Sequence, residues 1–167
     1  MSALQGVRVI ELANERIAFA GKLMADMGAE VILIEPPEGD ASRSYPPFEP
    51  TNNESLYFWH YHTNKHSVVL DLTLPEDQKR LRKLLVQADI LLESEPVNRL
   101  TELGLDYQDL APENPGLIHI AVTPYGRGTP ESDLPQTDLT LMAAGGPPWS
   151  CGYDDHSLPP VRGWGLV

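Results

Sequence analysis

The sequence contains little cysteine and few basic residues, and it lacks any long apolar run. A single cysteine, Cys151, among 167 residues excludes an internal disulfide and favours a reducing cytoplasm as the location. No apolar segment approaches the roughly 20 residues of a membrane span, and residues 1–6 lack the basic start of a signal peptide. Only 12 Lys and Arg stand against 24 Asp and Glu, which gives a net charge of −12. This charge argues against nucleic acid as the main partner, whereas a small phosphate-bearing ligand needs only a few local cations.

Two nucleotide-binding motifs are also missing. Residues 13–18, after the first predicted strand, contain no G-x-G-x-x-G pattern, so no nicotinamide cofactor is predicted. No G-x-x-x-x-G-K-[ST] pattern occurs, which excludes P-loop nucleotide hydrolysis. His60 and His62 have a spacing that suits a metal on one side of a strand, but no cysteine lies nearby in the sequence. We therefore predict no metal site, and we interpret Cys151 as an unreactive thiol.

Apolar segments alternate in a strand–helix–strand pattern along the first 122 residues. Strands are predicted at residues 7–12, 30–34, 67–70, 90–92 and 117–122. One helix is predicted at residues 19–27, and Gly28 ends it. A second helix is predicted to begin at Pro75, and its apolar face consists of Leu81, Leu84, Leu85 and Ala88. Two short helices are predicted at residues 97–103 and 107–110. This alternation predicts an α/β fold with a Rossmann-like, doubly wound, mostly parallel sheet.

The composition changes at about residue 123. We predict an α/β domain over residues 1–122 and an extension rich in proline and glycine over residues 123–167, with one helix at Asp138–Ala144 capped by Thr137. The apolar residues 163–167 suggest a segment that continues into further chain or packs on a partner. The alternative is that they fold back over the sheet.

Acidic residues end or follow four predicted strands, namely Glu11, Glu35, Asp71 and Glu93. Ligands bind beyond the carboxyl ends of the strands in open α/β sheets. Glu35 stands about where dinucleotide-binding folds place the acid that holds a ribose hydroxyl. The alternative is that these acids are simply exposed to solvent.

Residues 55–67 combine four aromatic side chains with polar donors ahead of a strand. The aromatic rings offer stacking faces for a purine, and Lys65 with His62 or His66 offers charge for a phosphate. The alternative is that Leu56, Phe58 and Trp59 form a helical turn that faces the core. The two interpretations are compatible.

Several motifs together resemble family III CoA-transferases, the CaiB/BaiF family named for carnitine and bile-acid CoA-transferases. The matching segments are residues 4–12, 21–43, 64–72, 103–107, 114–118, 123–126 and 152–162, in the order of the family. The resemblance spans essentially all 167 residues.

The resemblance implies chemistry on CoA thioesters. Members of the family move CoA between carboxylic acids through an aspartate nucleophile and anhydride and thioester intermediates, and relatives racemise or isomerise acyl-CoA. The family is also dimeric, which implies a homodimer or a partner chain here. It places the nucleophile shortly after Pro159 and Pro160, and the sequence ends at Val167, so no catalytic residue is assigned.

The resemblance also implies a set of CoA contacts at the ends of the strands. They are Asn14, Glu15, Arg16, Pro36, His62, Asn64, Lys65, Ser94, Glu95, Tyr125 and Gly126. The sequence departs from the family pattern at residues 16–18 and 93–98, and Glu102 replaces an arginine that helps to hold CoA in relatives. Such changes predict weaker phosphate binding because of local repulsion.

Three functions remain open from the sequence. The first is the N-terminal, CoA-binding part of a family III transferase, which is inactive alone. The second is a non-catalytic binding or scaffolding module that acts with a partner chain. The third, with less support, is a small intact enzyme that uses Glu11 or Glu35 as a base.

Overall fold

A computed structural model describes residues 2–146, which divide into two units. The first unit ends at Val122 and the second begins at Thr123. The interpretations of Cys151 and of residues 152–167 concern positions outside the described range.

The first unit is built on a five-stranded sheet in which every neighbouring pair is parallel. The strand order is β3-β2-β1-β4-β5, which confirms the predicted doubly wound sheet. The strands are β1 (Arg8–Leu12), β2 (Glu30–Glu35), β3 (His66–Val69), β4 (Ile90–Glu93) and β5 (Ile118–Ala121).

Helices connect the strands and cover both faces of the sheet. They are α1 (Glu15–Asp26), α2 (Leu56–Tyr61), α3 (Pro75–Leu85), α4 (Arg99–Glu102) and α5 (Tyr107–Leu110), with a 3-10 turn at Ala41–Ser44. In the second unit, α6 spans Asp138–Ala144, and the Thr137 hydroxyl accepts a hydrogen bond from the Thr140 amide, as predicted for its cap. No helix within residues 2–146 has the length and apolar character needed to cross a membrane.

The apolar core lies on the two faces of the sheet. Ile17 and Ala25 of α1 pack against Val9, Val31 and Leu92 on one face. On the other face the core continues from the sheet into the segments from α3 to α5, through residues that include Ile10, Leu91, Leu81, Leu85 and Leu110. Successive side chains of a strand point to opposite faces of the sheet, so the register of each strand determines which residues enter the core on either face.

Two sequence predictions about helices need correction. Helix α1 begins four residues before the predicted residue 19, because the Asn14 side chain caps it by accepting the Arg16 amide at 3.0 Å. Helix α2 contains no buried residue, and Leu56 and Trp59 are 37% and 43% exposed, so this turn does not face the core. Its helical form also means that His60 and His62 do not share one side of a strand.

Candidate functional site

Two adjoining cavities open at the carboxyl edge of the sheet, where an open α/β fold binds its ligands. The α1 cavity has a volume of about 500 Å³ and is lined by the start of α1 and the segment 36–45. The β4 cavity has a volume of about 420 Å³, and its lining includes Leu70, Asp71, Thr73, Glu95 and Arg99. Ala13, Pro36 and Glu38 line both cavities, so the two form one continuous surface.

Five residues of the predicted contact set line these cavities. Asn14, Glu15 and Arg16 lie in the α1 cavity, Glu95 lies in the β4 cavity, and Pro36 borders both. They converge because each follows the end of a strand, and the ends of parallel strands meet at one edge.

The cavity lining contains two arginine guanidinium groups that have no ion-pair partner among residues 2–146. They belong to Arg16 in the α1 cavity and to the half-buried Arg99 in the β4 cavity. Arg99 is not among the contacts predicted from the sequence. The available signal was its position three residues before Glu102, because side chains with this spacing share a face of a helix.

Three other predicted contacts are not among the residues that line these cavities. Ser94 is buried, and its Oγ has no hydrogen-bond partner within the described part of the chain. Tyr125 and Gly126 belong to the second unit, in a turn where Thr129 Oγ1 donates to the Tyr125 carbonyl at 3.1 Å.

The remaining three, His62, Asn64 and Lys65, line neither cavity, because they precede β3 instead of following it. Asn64 donates to Asp26 Oδ1 at the far end of α1, at 2.8 Å. The side chains of His62 and Lys65 are only 2% and 1% exposed. In this structure the side chains of His62 and Lys65 are therefore buried and engaged with protein, while the Asn64 side chain is exposed and its Nδ2 is bound to Asp26.

Lys65 is held by a buried acid from the neighbouring part of the sheet. Its Nζ donates to Glu11 Oε1 at 2.7 Å and to the Ala18 carbonyl at 2.9 Å. Gly21 leaves the room for this pair, because a Cβ at that position would stand 1.7 Å from Glu11 Oε2. That second oxygen has no hydrogen-bond partner in the described residues.

Burial dominates the protonation of this cluster. It raises the pKa of Glu11 to about 7, despite the opposing attraction of Lys65, and it lowers the pKa of Lys65 despite Glu11. Burial, followed by the Lys65 charge, lowers the pKa of His62 to about 4. His62 is therefore neutral at pH 7.

The contacts of His62 fix which ring nitrogen carries its proton. Nδ1 lies 3.3 Å from the Lys65 ammonium, which can only donate, so Nδ1 is the acceptor. The proton is thus assigned to Nε2, which faces Ser42 Oγ at 3.5 Å and Asp40 Oδ1 at 3.8 Å. His62 thereby links Lys65 to the segment 36–45.

The Glu35 carboxylate is fully engaged by protein donors. Oε2 accepts the Asp40 amide at 2.8 Å and Arg43 Nε at 2.7 Å, while Oε1 accepts Arg43 Nη2 at 2.8 Å and the Ser67 hydroxyl. Although burial opposes ionisation, these bonds together lower the pKa of Glu35 to about 2. The expectation that Glu35 holds a ribose hydroxyl is wrong for this structure, because four donors already occupy its acceptor positions.

The idea that the strand-end acids face solvent is also wrong for three of the four. Glu11, Glu35 and Glu93 are at most 1% exposed. Glu93 Oε1 lies 2.9 Å from Nε2 of His119, which belongs to the edge strand β5. Within residues 2–146, no three His, Cys, Asp or Glu side chains come together in an arrangement that could hold a metal ion.

Comparison with known proteins identifies the family to which this site belongs. The sequence profile described as CoA-transferase family III matches residues 4–166. The chain belongs to CoA-transferase family III. It is 39% identical over 159 residues to cinnamoyl-CoA:phenyllactate CoA-transferase of Clostridium sporogenes. It is 41% identical over 150 residues to succinate–glutarate CoA-transferase of Agrobacterium fabrum.

Solved structures of the family share the fold. A CaiB/BaiF family protein from Brucella suis superposes with a TM-score of 0.85 at 28% identity, over 96% of this chain and 43% of its own. The Rv3272 protein of Mycobacterium tuberculosis gives a TM-score of 0.83 at 32% identity, over 98% of this chain and 45% of its own.

This family III chain corresponds to only part of its relatives. The alignments cover 93% and 86% of the chain, but 39% and 38% of the Clostridium and Agrobacterium proteins. The chain therefore spans about two fifths of the length of these relatives.

Proposed function

We propose that this chain is the CoA-binding part of an enzyme that transfers CoA between carboxylic acids. Its substrates are a CoA thioester and a small carboxylic acid, the substrate classes that family membership implies. The nucleophilic aspartate is supplied by chain beyond these 167 residues, so the chain alone binds CoA but catalyses no transfer. The partial coverage of the relatives supports this division.

The observation that carries the proposal is the joined pair of cavities, each with one arginine that has no ion-pair partner among residues 2–146. CoA consists of an adenosine phosphate joined through a diphosphate to a thiol-bearing arm, so its nucleotide end is strongly anionic. Arg16 and Arg99 offer planar donors that suit phosphate oxygens. The β4 cavity also has apolar lining for the base, from Leu12, Ile34, Leu70 and Leu72.

The first turn of α1 adds a second favourable feature. This helix has 12 residues and an Asn14 cap, and its amino end borders the α1 cavity. Unpaired amides and the helix dipole make such an end favourable for phosphate.

Acidic residues in the same cavities oppose binding. Glu15, Glu38 and Glu95 lie in the lining and repel phosphate oxygens. We therefore expect weak binding by the chain alone, with Kd between about 0.1 and 1 mM, or about −5.5 to −4 kcal/mol.

The test is an NMR titration of the 167-residue chain with CoA and with acetyl-CoA. The ligand concentration should reach about tenfold above the upper limit of the expected Kd, which is about 1 mM. Arg16→Ala and Arg99→Ala should each weaken binding by about 3- to 10-fold, because each removes a charged partner of a phosphate. Arg8→Ala is the matched control: it removes the same charge at the opposite edge of the sheet, where Arg8 pairs with Glu30, and should leave Kd unchanged.

Saturable binding that depends on Arg16 or Arg99 supports the proposal. Absence of CoA-dependent shifts in wild-type protein would overturn the claim that these residues form a CoA site. It would favour a non-catalytic module that acts with a partner chain.

A further inference from the structure

We propose that Glu35 is a positioning residue that shapes the wall of the CoA cavity without accepting a hydrogen bond from CoA. The inference rests on the proposed function for the identity of the ligand. It concerns the segment 36–45, which connects β2 to the following loop and includes the 3-10 turn Ala41–Ser44.

The segment 36–45 forms most of the α1 cavity. Seven of its residues line that cavity, against four from the start of α1. They are Pro36, Glu38, Gly39, Asp40, Ala41, Ser44 and Tyr45. A shift of this segment therefore changes the shape of the cavity.

Glu35 holds this segment at two points. Its carboxylate accepts the backbone amide of Asp40 and a two-pronged contact from Arg43, which lie five and eight residues further along the chain. The Ser67 hydroxyl also donates to Glu35 from β3, so the carboxylate ties the segment to the neighbouring strand. Buried charge-assisted hydrogen bonds of this kind are strong and directional.

Further contacts extend the same support. The Arg43 guanidinium lies 3.8 Å from the centre of the Phe58 ring in α2. Asp40 accepts the Ser42 amide at 2.8 Å and faces His62, which is itself linked to Lys65 and Glu11. His62 and Lys65, which were predicted from the sequence as ligand contacts, therefore pack behind the segment 36–45 and help to hold it in place.

Glu35 has no acceptor left for a ligand. Its four contacts use both carboxylate oxygens, and its side chain is 1% exposed. Glu35 borders the β4 cavity, but its acceptor positions are occupied, so we expect it to affect CoA through the position of the segment.

The test compares Glu35→Gln and Arg43→Ala with wild-type chain by hydrogen exchange without ligand and by CoA titration. Both variants should speed exchange of the amides at 40–45 by about tenfold or more, because a buried charge-assisted bond is lost. CoA binding should weaken by a similar factor, and the double variant should be no worse than the more severe single one, since both act through one contact. The Arg43 side chain is 45% exposed, so Arg43→Ala remains informative if Glu35→Gln does not fold.

Glu93→Gln is the matched control for exchange. Glu93 is equally buried at the end of β4, but its carboxylate accepts the Glu95 amide and contacts His119. Glu93→Gln should therefore leave the exchange rates of the amides at 40–45 unchanged. Exchange that accelerates uniformly across the first unit, or not at all, would overturn the positioning role.

The two proposals fail in different ways. If wild-type chain binds CoA and both variants bind it equally well, the positioning role is wrong and the proposed function stands. If wild-type chain does not bind CoA, the proposed function fails, and exchange at 40–45 alone decides whether Glu35 holds the segment.

Discussion

His62 shows how burial changes the role of a single residue. Its ring is stacked on Phe58 with centroids 4.5 Å apart and contacts the Lys65 ammonium. Burial and the Lys65 charge disfavour the protonated form. From the sequence, His62 was a candidate to supply positive charge for a phosphate together with Lys65. In the structure it is a neutral ring that connects Lys65 with Asp40 and Ser42.

The depressed pKa of His62 predicts a pH-dependent contribution to stability. The folded pKa is about 4 against an ordinary value of 6.5, so the unfolded chain takes up this proton first. The contribution is present above pH 6.5 and is lost as pH falls towards 4. Urea unfolding from pH 7 to pH 4 should therefore show a larger loss of unfolding free energy for wild-type chain than for His62→Gln.

Two features keep that measurement specific. The raised pKa of Glu11 acts in the opposite sense, since its contribution is present below pH 4.5 and is lost as pH rises through about 7, but both proteins share it. His60→Gln, at an exposed neighbouring ring, should follow the wild-type profile. Parallel profiles for wild-type chain and His62→Gln would contradict the prediction.

At the scale of elements, α2 depends on its cap because it buries no side chain. The Ser55 hydroxyl accepts the Phe58 amide at 3.1 Å and donates to the Tyr45 carbonyl at 2.6 Å. The buried Ser55 hydroxyl thus caps α2 and links it by a hydrogen bond to the end of the segment 36–45.

Removing this hydroxyl should lower stability measurably. Ser55→Ala loses a cap and removes the hydroxyl that donates to the half-buried Tyr45 carbonyl, which together should cost about 1–2 kcal/mol of unfolding free energy. Urea unfolding provides the measurement. Ser44→Ala, at an exposed serine whose hydroxyl makes no hydrogen bond among residues 2–146, should change stability by less than about 0.5 kcal/mol. Equal effects of the two substitutions would show that the cap is unimportant.

At the scale of the whole molecule, an apolar stripe runs along the outer side of α1. Phe19, Leu23 and Met27 recur at four-residue intervals and are 52%, 45% and 43% exposed. Contiguous exposed apolar side chains are typical of surfaces that another chain covers. We expect a second copy of the chain to cover this stripe.

The stripe predicts self-association of the isolated chain. Light scattering should give a mass that rises above that of the monomer with increasing concentration, because burial of apolar surface favours association. Leu23→Glu should reduce this rise, since it places a charge in the stripe. Leu74→Glu, at a leucine that is 52% exposed outside the stripe, should not. A strictly monomeric wild-type chain would contradict the prediction.

The sequence alone determined the elements and the family. Apolar periodicity placed the five strands within a few residues, and the motifs identified family III, because strand and helix patterns depend on residues close together in the chain. The resemblance to the family also pointed to Asn14, Arg16 and Pro36, which line the α1 cavity in the structure.

Only the tertiary structure decided which charged groups are used internally and which stay open. Lys65 meets Glu11 across 54 positions of sequence, and Glu35 meets Ser67 across 32, because β2 lies between β1 and β3 and α1 covers the pair. Burial in that layer turns the acids and the lysine into mutual partners, whereas Arg16 and Arg99, at the cavity lining, have no ion-pair partner in the described part of the chain. Strand order and depth are properties of the assembled sheet, and local sequence patterns do not encode them.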